Sequence, residues 1–281
     1  MQKPIYKRIA VKVGSNVLTR HDGTLNLTRM SALADQIAAL RHMGIQVILI
    51  SSGAVAAGRS ELRSRAAELH HLDSVDQRQL YSAIGQAKLI NHYYSLFREQ
   101  GIQVGQVLTT KESFATRQHY LNQRNCIQVM LQNGVLPIVN ENDTVATYEI
   151  EIGDNDTLSA VVAALIGADL LILLSDIDGL YTDDPRKNKN AKFIDLVDHL
   201  DDELMSMGKA STGSSVGTGG MNTKLIAAKI ATSAGADMVI ANSEDIRIIH
   251  RIMDGRNLGT MFVAHKDDNF DLPEFVADYH K

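Results

Sequence analysis

The chain has 281 residues, 44% hydrophobic and 22% charged, with a net charge of −5, a composition that suits a globular α/β protein with a sizeable core. It has no basic block or arginine-rich arm, which argues against a nucleic-acid partner, because affinity for a phosphate backbone is built from clustered Lys and Arg. The N-terminus lacks a signal-peptide apolar region and no apolar run nears the ~18 residues of a membrane span, so no membrane association and a cytoplasmic location are expected.

From the N-terminus, Ile9–Val13 is a short β-rich run that stops at Gly14. Leu33, Ile37, Leu40 and Met43 recur at helical spacing up to a stop at Gly44. Val47–Ile50 is continuously apolar and leads into Ser51, Ser52 and Gly53. Continuous runs of this kind suit strands buried on both faces, as in a parallel sheet. The alternation continues with a helix over Leu80–Phe97, a strand over Val104–Leu108, a helix over Tyr120–Leu131 and a strand over Val135–Val139. Cys126, the only cysteine, falls in that second helical pattern and reads as a small core residue, not a disulfide or metal partner. Thr144–Ile152 alternates like a half-exposed hairpin, Leu158–Ile166 is helical, and Leu170–Leu174 is a purely aliphatic strand. Beyond the irregular Asp176–Lys192 come a helix from about Met221, a strand over Met238–Ala241, a short helix over Ile246–Met253 and a final strand over Thr260–Val263. Residues 265–281 turn polar and read as a tail. The pattern predicts a doubly wound, mainly parallel sheet sandwiched by helices, in one domain.

Ligands of such sheets bind beyond the C-terminal strand ends. The loops there carry Lys12 and Gly14, then Ser51–Ala54, then Asn140, Glu141, Asn142 and Asp143, then Ser175, Asp176 and Asp178. Lys12 ends an apolar strand, so it either enters the crevice or snorkels as an edge lysine. Residues 215–224 read SVGTGGMNTK before a helix. Glycines beside a helix N-terminus allow close approach of an anion, yet the run fits neither the P-loop nor the dinucleotide pattern, so a plain loop before a surface helix stays open. Ser52-Gly53 offers either anion-binding N–H groups or an ordinary cap, and Asp156 either chemistry or a helix cap. Asn140–Asp143 and Gly153–Asp156 concentrate amides and carboxylates able to hold an amino acid. The ten histidines show no metal-ligand spacing, so no protein metal site is expected. Two lysines from distant segments, Lys12 and Lys224, with Asp156 to orient them, fit phosphoryl transfer. Magnesium would then arrive mainly on nucleotide phosphates.

KVGSNVL at 12–18, SSGAVAAGR at 51–59, NENDTVAT at 140–147, GDNDTLSA at 153–160, SDIDGLYTDDPR at 175–186 and GTGGMNTK at 217–224 resemble the successive motifs of the glutamate 5-kinases. These are enzymes of the amino acid kinase fold that phosphorylate the side-chain carboxylate of L-glutamate, with ATP as co-substrate, at the start of proline synthesis. The resemblance runs from about Ile5 to Phe262. It implies a kinase domain over residues 1–264, its N-terminal part mainly the glutamate site and its part from about 169 mainly the ATP site. Lys12 and Lys224 would stabilise the moving phosphoryl, with Asp156 holding both. Ser52, Asp143 and Asn155 would bind glutamate, with Asn140 and Asp154 nearby. Lys12, Ser175, Asp176 and the loop Thr218, Gly219, Gly220, Met221, Asn222, Thr223 and Lys224 would hold ATP. Position 175 is Ser where the family favours Thr, and Asn16 replaces a more frequent small hydroxyl residue, so Asn16 is left out of the site. Many members carry a C-terminal PUA domain, for which this chain has no room, so it resembles the short form or a truncated chain. Homo-oligomers and inhibition by proline are further family expectations. The substrate of an N-acetylglutamate kinase has no free α-ammonium, which leaves an acidic Asp143 loop less purpose, and a non-catalytic sensor has no need for both lysines and Asp156.

Overall fold

The computed structural model describes residues 6–110, 112–145, 155–183, 185, 188–202, 204–206, 220–256 and 258–278. The elements in chain order are β1 (Arg8–Val13), α1 (Ser15–Leu18), α2 (Leu27–His42), β2 (Gln46–Ser51), α3 (Ala54–Glu61), a 3₁₀ turn at Arg63–Leu69 and α4 (Ser74–Glu99). Next come β3 (Val104–Thr109), α5 (Glu112–Ala115), α6 (Arg117–Gln132), β4 (Leu136–Glu141), α7 (Asn155–Ile166) and β5 (Leu170–Ser175). The chain continues through β6 (Leu180–Tyr181), β7 (Phe193–Ile194), β8 (Leu196–Val197), α8 (Met221–Ser233), β9 (Asp237–Asn242), α9 (Ile248–Met253), β10 (Thr260–Phe262) and α10 (Leu272–Asp278).

Among the described residues one sheet of eight strands runs β3-β4-β2-β1-β5-β9-β10-β8. It is parallel from β3 to β9 and reverses at β10, which lies antiparallel to β9. Of the strand runs read from the sequence, six lie inside the sheet, and the seventh, Val104–Leu108, is the edge strand β3. Alternation of side chains across a strand divides the core in two. Ile9, Val11, Val13, Val47 and Leu49 face α2, α3, α4 and α9. Ala10, Ile48, Ile50, Leu171 and Leu173 face α6, α7, α8 and α10. Lys12 stands two positions after Ala10 and so points to the layer of α7 and α8.

Several elements differ from the sequence expectation. Helix α4 begins at Ser74, capped by the Asp73 carboxylate, which accepts from the Val75 and Asp76 N–H groups. Its first turn is polar, so apolar periodicity finds it only from Leu80. Helix α7 starts at Asn155, three residues early. Part of the irregular Asp176–Lys192 stretch pairs as the β6–β7 ribbon. Cys126 is exposed, because α6 buries the stripe of Ile127 and Leu131 next to it. The polar segment after 264 includes α10, whose Leu272 and Val276 enter the second core. Of the expected hairpin, Thr144 and Val145 form a turn, and 146–152 lie outside the described residues.

Helices α3 and α4 cross backbone to backbone. A Cβ on Gly85 would sit 1.8 Å from the Ala54 carbonyl oxygen and 2.4 Å from the Gly58 nitrogen, and one on Gly58 would sit 1.8 Å from the Tyr81 carbonyl oxygen. No side chain can be inserted there without parting the helices. Gly85→Ala is expected to lower stability by about 3 kcal/mol, the upper range for overpacking, seen as a lower urea midpoint at unchanged slope.

Candidate active site

The C-terminal ends of β1, β2, β4 and β5 gather the polar residues. Ser52 N–H donates to the Val13 carbonyl at 3.1 Å, which ties the β1 and β2 ends together. Gly53 then turns the chain into α3 with φ +106°, a left-handed conformation open to glycine at little cost.

At the centre lies Asp156, in the first turn of α7 and only 1% exposed. One carboxylate oxygen pairs with Lys12 Nζ and the other accepts from Lys224 Nζ at 2.9 Å. Both lysines are themselves buried, at 9% and 7% exposure. Lys12 thus enters the crevice instead of snorkelling at an edge. A Cβ on Gly14 would be 3.5 Å from its ammonium, so the head group lies over that glycine. Asp156 is not a helix cap. Burial alone would raise its pKa, but the two ammonium groups outweigh burial and hold it at about 2.

A second group sits beside it. Asn155 Nδ2 donates to Ser52 Oγ at 2.7 Å and to Asn140 Oδ1 at 2.9 Å. Asn140 Nδ2 donates in turn to Gln86 Oε1 of α4 at 2.9 Å. Asp143 takes a different partner: Arg78 of α4 donates to its Oδ1 through Nε at 3.0 Å and Nη2 at 2.7 Å. Glu141 lies 3.7 Å from the same guanidinium.

On the other side, Ser175 Oγ donates to Asp176 Oδ1 at 3.3 Å, and Asn16 Nδ2 donates to Asp176 Oδ2 at 3.2 Å. Gly220 is the N-cap of α8, and among the described residues no side chain caps the first-turn N–H groups. Those donors suit phosphate oxygens. Met221, Asn222 and Thr223 form the first turn, and Thr223 Oγ1 donates to the Gly220 carbonyl at 2.8 Å. Among the described residues no hydrogen bond joins Ser175 or Asp176 to α8. Asp154, Thr218 and Gly219 lie outside the described residues. Among the described residues no group of His, Cys, Asp and Glu is arranged to hold a metal ion, and no helix is long and apolar enough to cross a membrane.

Sequence reasoning missed Arg78 and Gln86, and it set aside Asn16. The first two share a stripe of α4 with Ser82 at i, i+4, i+8 spacing, which on paper looks like a solvated face. Only the pairing of α4 with the β4 loop distinguishes them.

The family model for the amino acid kinase family matches residues 7–242. A glutamate 5-kinase from Bacteroides thetaiotaomicron is 56% identical over 247 residues, which are 88% of this chain and 67% of that protein. One from Clostridium acetobutylicum is 46% identical over 256 residues, 91% of this chain and 94% of that protein. The crystal structure of UMP kinase from Bacillus anthracis superposes with a TM-score of 0.62 at 18% identity, over 92% of this chain and 96% of that one. That likeness shows the fold alone.

Proposed function

The chain belongs to the amino acid kinase family and, within it, to the glutamate 5-kinases, and on that premise we propose that it phosphorylates the side-chain carboxylate of L-glutamate with ATP, giving L-glutamyl 5-phosphate, the first step of proline synthesis. The observation that carries the reading is the buried Lys12–Asp156–Lys224 triad.

The acceptor is itself a carboxylate, ionised at neutral pH, so no residue needs to take its proton. Its oxygen attacks the γ-phosphorus, the bond to the β–γ bridging oxygen breaks, and ADP leaves. Charge on the moving phosphoryl is the obstacle, and preorganised cations remove it. Lys12 and Lys224 bring two positive charges against the single negative charge of Asp156, leaving one in surplus for that phosphoryl. Asp156, with its pKa near 2, stays charged and holds the lysines apart at fixed positions.

Ser52, Asn140, Asp154 and Asn155 are proposed to hold the glutamate near its reacting end, and Asp143 its α-ammonium. Ser175, Asp176 and the Thr218–Lys224 segment are proposed to hold ATP, a choice supported by the glycine N-cap of α8, which brings no side chain over the first-turn N–H groups. Magnesium, carried by the ATP phosphates, would neutralise charge and align the oxygens. Residues 1–264 are proposed as the kinase domain, the glutamate residues coming from β1 to α7 and the ATP residues from about 169 onward. A cytoplasmic location, a homo-oligomeric state and inhibition by proline are proposed with it. Proline shares the α-carboxylate and a cationic nitrogen with glutamate, and so could compete at Asp143.

Purified protein with L-glutamate, ATP, Mg²⁺ and hydroxylamine is expected to form γ-glutamyl hydroxamate, and N-acetylglutamate to give none. Absence of hydroxamate across pH and metal conditions overturns the reading.

A further inference from the structure

The pair formed by Arg78 and Asp143 has an unusual layout. Both Arg78 donors converge on one oxygen of Asp143, Oδ1. Asp143 Oδ2 and Arg78 Nη1 take no part in the bond, and neither has another partner among the described residues. Asp143 is buried, while the Arg78 side chain is 44% exposed. The pair therefore leaves a carboxylate oxygen and a guanidinium nitrogen over, on the same two elements as the amide group: Asp143 follows Asn140 by three positions, and Arg78 shares α4 with Gln86. Glu141, 3.7 Å away, adds a second negative charge and keeps the guanidinium in place.

An α-amino acid head carries the complementary pattern, an ammonium and a carboxylate on one carbon. The opposite end of the site is cationic, and a γ-carboxylate held by Ser52, Asn140 and Asn155 beside the phosphoryl leaves the head at Asp143. The α-carboxylate still needs a cation, and Lys12 and Lys224 are committed to Asp156 and the phosphoryl. We infer that Arg78 binds the substrate α-carboxylate through Nη1 while Asp143 Oδ2 takes the α-ammonium, so that the ion pair reads the whole zwitterion. The inference rests on the kinase reading above and adds a specificity-determining residue to it. Planar guanidinium donors match a carboxylate in a way a lysine only approximates.

The experiment compares L-glutamate with 4-aminobutyrate, which keeps the ammonium and the reacting carboxylate but lacks the α-carboxylate. In the parent, 4-aminobutyrate is expected to be a poor substrate and a weak competitor of L-glutamate. In Arg78→Ala the KM for L-glutamate is expected to rise about thirtyfold, the usual loss for a hydrogen bond to a charged group, at nearly unchanged kcat. The inhibition constant of 4-aminobutyrate should stay within about threefold, since it has no α-carboxylate to lose. Arg78→Lys should recover part of the L-glutamate affinity. If Arg78→Ala weakens both compounds equally, Arg78 only shapes the loop and the inference fails. A lower KM for L-glutamate also overturns it, because the guanidinium would then merely occupy the place of the ammonium. A parent that forms no hydroxamate from L-glutamate overturns the kinase reading, and this inference with it; an active parent whose variant keeps its discrimination overturns the role of Arg78 alone.

Discussion

Lys224→Ala is expected to turn over about a thousandfold more slowly than the parent at saturating ATP and glutamate, the upper range for removing one preorganised donor from a developing charge. Glutamate affinity should change by no more than a few-fold, because Lys224 meets Asp156 and not the Ser52–Asn155–Asn140 group. The measurement is hydroxamate formation with glutamate varied at fixed saturating ATP. A variant with normal kcat and only weakened glutamate binding would show Lys224 to be a ground-state contact. The surplus positive charge of the triad makes the size of the effect understandable. Removing one lysine leaves a neutral pair, which has nothing left to offer an anionic phosphoryl.

Asp156→Asn acts on stability as well as on rate. Two buried ammonium groups lose their counter-charge, which is expected to cost about 3–5 kcal/mol of stability at neutral pH. Turnover should fall at least as far as in Lys224→Ala, since both lysines lose their fixed positions. The sign of the pH dependence follows from the lowered pKa. A carboxyl at about 2 in the folded protein, against roughly 3.9 when unfolded, stabilises fully above the unfolded value. That contribution fades as the pH falls from about 4 to about 2. The stability gap between parent and variant in urea unfolding should therefore be wide at pH 7 and narrower at pH 3. A constant gap across that range would remove Asp156 as the titrating partner.

How much of this was readable without coordinates depended on the contrast each residue made with its neighbours. The central strands stood out because Gln46–Ser51 and Leu170–Ser175 are buried along almost their whole length, which leaves a continuous apolar run. Lys12 stood out as a charge at the end of such a strand. Asp156 could be read as either a cap or a reacting group, and only its contacts with both lysines decide between them. Arg78 and Gln86 gave no contrast at all: each is a polar residue in a long amphipathic helix. Their significance lies in the β4 loop, some 54 to 65 positions further along the chain, and local periodicity carries no information about that distance. The start of α4 was lost for a related reason. Its first two turns are held by the Asp73 cap and by Gln79, which donates to the Thr144 carbonyl at 2.9 Å, not by apolar burial.

Helices α3 and α4 touch backbone to backbone at Gly58 and Gly85, and the two residues of α4 that bond to the β4 end, Arg78 and Gln86, lie at unequal distances from that crossing. Gln86 is adjacent to Gly85, whereas Arg78 is seven residues away, about 10 Å along the axis at 1.5 Å per residue. A tilt of about 6° at the crossing would displace Arg78 by roughly 1 Å and leave Gln86 almost still, and 1 Å is enough to matter for a bound reactant. Small repacking between Ala54, Gly58 and Tyr81 would thus retune the grip on the amino-acid head and spare the end where phosphate is transferred. Such a tilt would act on Arg78 through α4 and leave Lys12, Asp156 and Lys224, which stand on other elements, where they are.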